Sequence, residues 1–293
     1  MFSTGNNAAS TVHLYEYNNT LPLGFMVNMS TEANWNKETG NPFTTQNSFV
    51  KTAIDSDANI FHQLQTTDTV GTFTAKYQLE EDDNYKPSGD AATYDVYFYC
   101  VTSSETLTVN ITNGSITDDN STTKTFSSTN QNYICHVGNV SAGSTITVTA
   151  SDGQALTTCY AYAFDNDAWE TAYKLLNKNP YTVESYSDTK ITGKVTAKKQ
   201  GIMYTSIPYD KGWNVYVDGV KSKTTSICSG ALTGVLVEAG THEITFKYTP
   251  KGLVPGIVIT IICLLIFLGI IYQDNIINLI SNKSKNNKVT SKK

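Results

Sequence analysis

The sequence predicts a mainly β protein: two antiparallel β-sandwich domains, a short helix that links them, and one C-terminal transmembrane helix. Three patterns predict this order. Apolar and polar residues alternate over much of residues 61–250, with Gly, Asn, Asp and Ser between the runs, as is typical of antiparallel strands. A helical period interrupts the alternation near residue 170. An uninterrupted apolar stretch follows the last strand.

The N-terminal quarter of the chain has little periodicity. Residues 1–60 are rich in Asn, Thr and Gly and have only short apolar runs, so we expect an irregular segment that packs on another part of the protein. Residues 61–165 contain five alternating runs, among them TYDVYFYCV (93–101) and STITVTA (144–150). Their spacing predicts the first sandwich. The polar stretches 80–90 and 113–123 are its expected exposed loops.

Residues 166–179 predict the linking helix. Asp167 and Glu170 have the spacing of a capping box, and apolar residues follow at helical intervals up to Leu176. We therefore expect a helix over residues 168–177. Pro180 ends it, because proline cannot continue a helix.

Residues 180–250 alternate again and predict the second sandwich. Within WNVYVDGVKSK, the pair Asp218-Gly219 separates two strand patterns, which predicts a two-residue hairpin turn with positive φ at both positions. Asp218 is therefore interpreted as a turn residue rather than a catalyst. The last strand, THEITFKYT, leads almost directly into the apolar stretch, so this sandwich is expected to lie on the bilayer surface.

The apolar stretch over residues 253–272 has no charge, and its one aliphatic hydroxyl group is that of Thr260. Twenty helical residues extend about 30 Å, the thickness of the hydrocarbon core of a bilayer. A core helix of a soluble protein would carry a polar stripe, and this stretch has none. The lipid bilayer is therefore the first predicted partner.

The tail over residues 273–293 sets the expected orientation. It contains five lysines and one acid, Asp274, and lysines beside a span favour the cytoplasmic side. We expect a cytoplasmic basic tail and an extracellular bulk. Residues 1–19 show neither the basic nor the apolar region of a signal peptide, so we expect the C-terminal piece of a longer membrane protein; a tail-anchored cytoplasmic protein is the alternative.

Charge and motifs exclude several classes of function. The net charge of −5 divides into −9 before Leu253 and +4 after it, so nucleic acid is not an expected partner. All 21 basic residues are lysine, which leaves no guanidinium to clamp phosphate. The chain has no zinc-protease, serine-hydrolase, dinucleotide or P-loop motif. We therefore expect no catalytic residue, no metal ligand and no cofactor in this chain.

Four cysteines precede the apolar stretch, and a fifth, Cys263, lies within it. No CxxC pair is present, so a zinc site is not expected. A disulfide in an oxidising compartment and buried thiols are both compatible with the sequence. The four positions whose pairing stays open are Cys100, Cys135, Cys159 and Cys228.

Aromatic residues near a predicted turn suggest one binding chemistry. Tyr209, Trp213 and Tyr216 lie close together in sequence. Aromatic faces on a sandwich domain could stack on sugar rings, and packing in the second core is the alternative.

Four segments resemble the YfhO-type multi-pass bacterial membrane proteins: YEYNNTLPLGFMV (15–27), FTTQNSF (43–49), SIPYDKGWNVYVDG (206–219) and GTHEITFKY (240–248). That family looks like glycosyltransferases of the GT-C class, which use polyprenyl-phosphate sugars. The resemblance implies an N-terminal bundle of membrane helices whose external acidic residues perform the transfer. This chain resembles only the extracellular C-terminal part and the closing helix, so that bundle is an expected partner from the same protein.

The resemblance implies a function for this part. We expect the extracellular accessory portion of a polytopic glycosyltransferase, inactive alone, that holds a cell-surface polymer such as teichoic acid above the active site. A membrane-anchored, non-enzymatic surface module that binds glycan or a partner protein is the alternative. The candidate binding residues are Gln46, Asn47, Tyr209, Asp210, Lys211 and Trp213.

Overall fold

The computed structural model of the protein describes residues 19–37, 39–69, 72–79, 83, 85–86, 93–141 and 143–273. The predicted basic tail, except its first residue, lies outside the described residues. So do the start of the segment 15–27 and most of the predicted loop 80–90. The described residues form a mainly β structure with three antiparallel sheets and one long apolar helix, which confirms the predicted fold class.

The elements follow one another in three groups. The first group comprises β1 (Gly24–Asn28), α1 (Thr31–Asn34) and α2 (Pro42–Ile54). The second comprises β2 (Phe61–Thr69), β3 (Thr72–Leu79), β4 (Thr93–Val101), β5 (Thr106–Thr112), β6 (Thr123–Ser127), β7 (Cys135–Ser141), β8 (Thr145–Ala150) and β9 (Thr157–Phe164). The third comprises α3 (Asn166–Leu176), β10 (Thr182–Ser187), β11 (Lys190–Ala197), β12 (Gly201–Pro208), β13 (Trp213–Val217), β14 (Val220–Ser222), β15 (Thr224–Ile227), β16 (Leu232–Val237), β17 (Gly240–Tyr248) and α4 (Leu253–Ile271).

The first β unit is one eight-stranded antiparallel sheet in the order β6-β5-β8-β3-β2-β9-β4-β7. Alternate residues of β4 are buried, as expected for strands with one face on a core. The sheet folds over this core until its edge strands approach each other. Lys124 Nζ on β6 donates to the carbonyl of Val137 on β7 at 2.9 Å, and the rings of Phe98 and Phe126 lie 5.3 Å apart. The two halves of the sheet thus enclose a single core.

The second β unit consists of two sheets packed face to face. The four-stranded sheet has the order β1-β12-β16-β15 and the five-stranded sheet the order β10-β11-β17-β13-β14. Met203 and Val235 of the former meet Val215, Ile244 and Phe246 of the latter in a buried core.

The N-terminal segment is more regular than the sequence predicted. Its strand β1 pairs antiparallel with β12, so that Phe25 lies opposite Tyr204, and α2 follows where no helix was expected. The short run GFMVN is too brief to show strand periodicity, and its partner lies far along the chain. The expectation of an irregular segment over residues 1–60 was therefore wrong for β1 and α2, whereas the expectation that it packs on another part holds.

Helix α2 lies between the two β units and contacts both. Asn41 caps its N-terminus by accepting from the amides of Phe43 and Thr44. One face packs Phe43 and Val50 against the first unit, and another packs Ala53 against the four-stranded sheet. The helix therefore fixes the position of one unit against the other.

Asn47 anchors α2 to the start of β2. Its Oδ1 accepts from the amides of Ile60 and Phe61, each at 2.9 Å, and its Nδ2 donates to the carbonyl of Phe61 at 2.7 Å. The side chain is buried. These three bonds satisfy backbone groups that would otherwise be buried without partners.

Helix α3 begins two residues before the predicted start. Asp165, not Asp167, caps it, because the Asp165 side chain accepts from the amide of Ala168 at 2.9 Å. Glu170 forms an exposed ion pair with Lys174 one turn later rather than closing a capping box. The helix joins the two β units as expected and packs against α2.

The predicted hairpin turn at Asp218-Gly219 is confirmed, since φ is 51° at Asp218 and 79° at Gly219. The Asp218 side chain also contacts His242 at 2.7 Å and accepts from the amide of Glu243 at 2.9 Å. The hydrogen bond with His242 lowers the pKa of Asp218. Asp218 thus forms the turn and also joins it to β17 through its side chain.

None of the five cysteines is in a disulfide. Cys100 and Cys135 are buried in the core of the first unit. Burial raises the pKa of Cys135 to about 12, so its thiol is protonated and unreactive at neutral pH. Cys159 and Cys228 are half-buried free thiols, so only two of the four cysteines before α4 fit the buried-thiol alternative.

Helix α4 has a mean hydropathy of 3.0, and no part of it is buried by the rest of the protein. Its length and composition suffice to cross a membrane. The predicted span at residues 253–272 corresponds to this helix within one residue.

Replacing Asn47 with alanine tests the anchor of α2. Asn47→Ala leaves two amides and one carbonyl buried without partners, so we expect it to lower the free energy of unfolding by about 2–3 kcal/mol. Thermal unfolding of the purified chain in nanodiscs measures the loss. Lys51→Ala, one turn further along α2, is the matched control and is expected to change stability by less than about 0.5 kcal/mol. Equal melting temperatures for the two variants would contradict the anchor.

Candidate functional site

An aromatic-lined pocket lies between α2 and the four-stranded sheet of the second unit. It has a volume of about 260 Å³. We call it the aromatic pocket, and its lining consists of Phe25, Trp35, Gln46, Phe49, Tyr204, Thr205, Ser206, Cys228 and Leu232.

Contacting rings make one wall of the aromatic pocket. The Trp35 and Phe49 ring centroids are 4.9 Å apart and nearly edge to face, and Phe49 lies 5.7 Å from Tyr204. Trp35 Nε1 donates to the carbonyl of Thr45 at 2.8 Å, which fixes the indole on α2. Aromatic rings held in this way form a preformed apolar surface.

A carboxylate supports that wall. Glu32 accepts a hydrogen bond from the hydroxyl of Tyr204, and its Oε1 lies 2.6 Å from Lys37 Nζ. The amide of Cys228 donates to Glu32 at 3.4 Å. Lys37 Nζ also lies 5.4 Å from the centroid of the Trp35 ring. The network ties the segment after β1 to β12 and to the end of β15.

The protonation states of this network are fixed at neutral pH. Burial alone would raise the pKa of Glu32, but hydrogen bonds from Lys37, Tyr204 and the Cys228 amide outweigh it and bring the pKa below its ordinary value of 4.5. Burial and the Glu32 carboxylate raise the pKa of Tyr204. Neither group titrates near neutral pH, so the pair is unsuited to general acid–base catalysis.

Two polar side chains give the aromatic pocket hydrogen-bonding capacity. Gln46 Nε2 donates to the carbonyl of Pro42 at 3.1 Å, which uses only part of what a carboxamide can donate and accept. Ser206 is exposed at the rim. Thr205, by contrast, donates its hydroxyl to the carbonyl of Thr233 at 2.6 Å and stabilises the sheet.

The structure separates the six candidate residues predicted from the sequence. Gln46 lines the aromatic pocket, whereas the adjacent Asn47 borders another cleft of about 460 Å³ between α2 and β2. The other four lie outside the described lining of both cavities: three in the turn between β12 and β13, and the tryptophan at the first position of β13. They are Tyr209, Asp210, Lys211 and Trp213.

Asp210 in that turn and Trp213 at the start of β13 have clear structural contacts. Asp210 Oδ1 accepts from the amide of Gly212 at 2.6 Å, and the carbonyl of Asp210 accepts from the amide of Trp213 at 3.1 Å. The indole of Trp213 packs on Phe246 and Tyr248. The turn is thus joined to β17 rather than to α2.

Sequence reasoning missed most of the aromatic pocket. One local pattern could have indicated it: an aromatic, an acidic and a basic residue close together in a segment without periodicity, namely Trp35, Glu32 and Lys37. Phe25 and Tyr204 face each other only because β1 pairs with β12, which no local pattern predicts.

The described histidines lie on separate elements, and each contacts an aspartate at 2.6–2.7 Å. The pairs are His62–Asp83, His136–Asp95 and His242–Asp218. His62 Nε2 is buried without a hydrogen bond and lies 3.6 Å from Asp165 Oδ2. Within the described part of the chain, no group of three or more His, Cys, Asp or Glu side chains could hold a metal ion.

Comparison with known proteins identifies a family. The family model described as "Bacterial membrane protein YfhO" matches residues 2–260. No curated protein matches the chain.

Solved structures give only distant similarity. Quercetin 2,3-dioxygenase from Acinetobacter baumannii has 9% identity and a TM-score of 0.18, covering 66% of this chain and 79% of its own. GK1651 from Geobacillus kaustophilus has 11% identity and a TM-score of 0.17, covering 66% and 95%. Oxalate decarboxylase from Lactobacillus farciminis has 8% identity and a TM-score of 0.14, covering 67% and 84%. Similarity at this level assigns no activity.

Replacing Glu32 with glutamine tests the network. Glu32→Gln removes the charge that binds Lys37 and Tyr204, so we expect the free energy of unfolding at pH 7 to fall by about 1 kcal/mol. The expected effect is this small because Glu32 is partly exposed and solvent screens its charge. The pKa of Glu32 is lowered on folding, so this stabilisation is complete above the unfolded pKa and is lost as pH falls through the folded one. The measurement is the free energy of unfolding of wild type and Glu32→Gln, obtained from denaturant unfolding at pH 7 and at pH 3.

The control for this experiment is Glu170→Gln, which removes an exposed ion pair and is expected to cost at most about 0.5 kcal/mol. A difference between wild type and Glu32→Gln that is equally large at pH 7 and pH 3 would show that the charge of Glu32 is not what stabilises the wall.

Proposed function

The chain belongs to the YfhO family of bacterial membrane proteins, and from that premise we propose that its β-rich part is the extracellular accessory portion of a polytopic glycosyltransferase acting on cell-surface polymers such as teichoic acid. The aromatic pocket is the observation that carries this proposal. In it a sugar unit of the acceptor would be held, while the transfer chemistry would belong to an N-terminal membrane bundle of the same protein.

The origin of the pocket residues supports this proposal. Three of the segments that resemble the family meet there: Phe25 belongs to 15–27, Gln46 and Phe49 to 43–49, and Ser206 to 206–219. These segments are far apart in sequence, and the fold brings them to one cavity. A shared location favours a common role in addition to packing.

The chemistry of the aromatic pocket fits a sugar ring. Ring faces on Trp35 and Phe49 suit the apolar C–H face of a pyranose, while Gln46 and Ser206 suit its hydroxyls. Small-molecule sites typically have about 300–1,000 Å³, so a volume of about 260 Å³ fits a single sugar unit rather than a long oligosaccharide. The fixed protonation of Glu32 and Tyr204 suits binding rather than transfer.

The proposed orientation rests on α4 and on charge. If α4 spans the membrane, the lysine-rich tail after it favours the cytoplasm. The β units, which precede α4, would then face the outside, where cell-surface polymers are made accessible. An acidic, arginine-free surface is compatible with that location.

A double substitution in cells that carry the full-length gene tests the proposal. Gln46→Ala with Ser206→Ala removes the two polar groups and leaves the rings in place. We expect glycosylation of the surface polymer to fall about tenfold, since each lost hydrogen bond contributes about 0.5–1.5 kcal/mol. Sugar content of the purified polymer is the measurement, with protein level measured by immunoblot.

The matched control is Gln200→Ala with Ser185→Ala, which makes the same chemical deletions on exposed positions outside the aromatic pocket. It is expected to keep full glycosylation. Wild-type transfer by the pocket variant at equal protein level would overturn the proposal. If deleting the whole gene leaves the polymer unchanged, the non-enzymatic surface module is favoured instead.

A further inference from the structure

The end of the five-stranded sheet lies directly beside the start of α4. Strand β17 ends at Tyr248 and α4 begins at Leu253. Four residues span at most about 14 Å when extended, and a hydrogen bond from the amide of Leu253 to the carbonyl of Pro250, at 3.2 Å, makes this link shorter. Where α4 enters a bilayer, this end of the sheet must therefore lie at the head groups.

Two turns are bonded to the same link. The amide of Thr249 donates to the carbonyl of Gly212 at 2.9 Å, and the amide of Tyr248 donates to the carbonyl of Thr189 at 2.8 Å. Gly212 has no room for a side chain, because a Cβ there would lie 2.7 Å from the oxygen of Thr249. The turns before β13 and between β10 and β11 are thus held against the membrane end of the chain.

Lysines dominate the charge of these two turns and the link. Lys190, Lys211 and Lys251 are all exposed. The acids beside them are Asp188 and Asp210, and Asp210 already accepts from the amide of Gly212. Three lysines against two aspartates leave a local charge of +1, whereas residues before Leu253 carry −9 in total. Lys247 is left out of this sum, because its ammonium lies 4.9 Å from the centroid of the Tyr216 ring rather than beside these turns.

Aromatic side chains accompany the lysines. Tyr186, on the edge strand β10, is 84% exposed, which is unusual for so large a ring in water. Trp213 and Tyr248 lie 5.0 Å apart at the last pair of β13 and β17. Tyr and Trp are favoured at the membrane interface, where the ring meets apolar tails and the polar atom meets water.

We propose that this surface binds the phosphate head groups of anionic phospholipids and sets the tilt of the second β unit over α4. We call it the membrane-facing surface, and it consists of Tyr186, Lys190, Lys211, Trp213, Tyr248 and Lys251. This proposal rests on the short link between β17 and α4 and on the local charge. It therefore applies whichever side of the membrane the β units are on, and it does not depend on the glycan role of the aromatic pocket.

Lysine footprinting of the intact chain in nanodiscs tests the proposal without any substitution. The chain is reacted with an amine-acylating reagent in phosphatidylcholine discs and in discs with added phosphatidylglycerol, and each site is quantified by mass spectrometry. We expect acylation of Lys190, Lys211 and Lys251 to slow about fivefold in the anionic discs. This factor corresponds to the attraction of about 1 kcal/mol between one lysine and an anionic membrane surface. High salt should remove this protection.

Lys198 and Lys199 provide internal controls. They are exposed and lie at the opposite end of β11, about 25 Å away along the strand, so their rates should not change. Equal rates for the two sets in both kinds of disc would overturn the proposal. Protection of Lys190, Lys211 and Lys251 by free glycerol phosphate in phosphatidylcholine discs would also overturn it, because it would indicate a soluble phosphate ligand.

Discussion

The apolar surface of α4 is the constraint on which the rest of the structure depends. No part of this nineteen-residue helix is covered by the described protein. Burying one Leu or Ile contributes about 1.5–3 kcal/mol, so moving the many apolar side chains of α4 from water into an apolar environment is strongly favourable. A bilayer or other apolar helices must cover it. Because β17 joins α4 through four residues, covering α4 also positions the second β unit.

Helix α2 is the second organising element, since it joins the two β units and forms one side of the aromatic pocket. Adjacent residues on it have different contacts. Asn47 satisfies buried backbone groups at the start of β2, whereas Gln46 donates to the carbonyl of Pro42 in its own helix and lines the aromatic pocket. In the proposed function, stability and sugar binding would therefore depend on different, adjacent side chains of α2. A binding surface built on a helix that is held at both sides is more precise than one on a loop.

Local sequence patterns predicted the features that depend on neighbouring residues. The apolar length of α4, the positive φ values at Asp218 and Gly219 and the alternation in β4 are all of this kind. The N-cap of α3 shows the limit, because Asp165 and Asp167 are both competent caps and only the structure distinguishes them. The aromatic pocket was beyond reach for a different reason: it requires β1 to pair with β12 across most of the chain.

The side of the membrane on which the β units lie decides whether they can meet a cell-surface polymer, and labelling of intact cells measures it. A membrane-impermeant amine reagent is applied to cells that carry the full-length protein, before and after permeabilisation, and lysine modification is read by mass spectrometry. We expect Lys198 and Lys223 to be modified in intact cells, and Lys288 and Lys292 to be modified only after permeabilisation. The reverse pattern would place the β units in the cytoplasm and rule out an extracellular role for them.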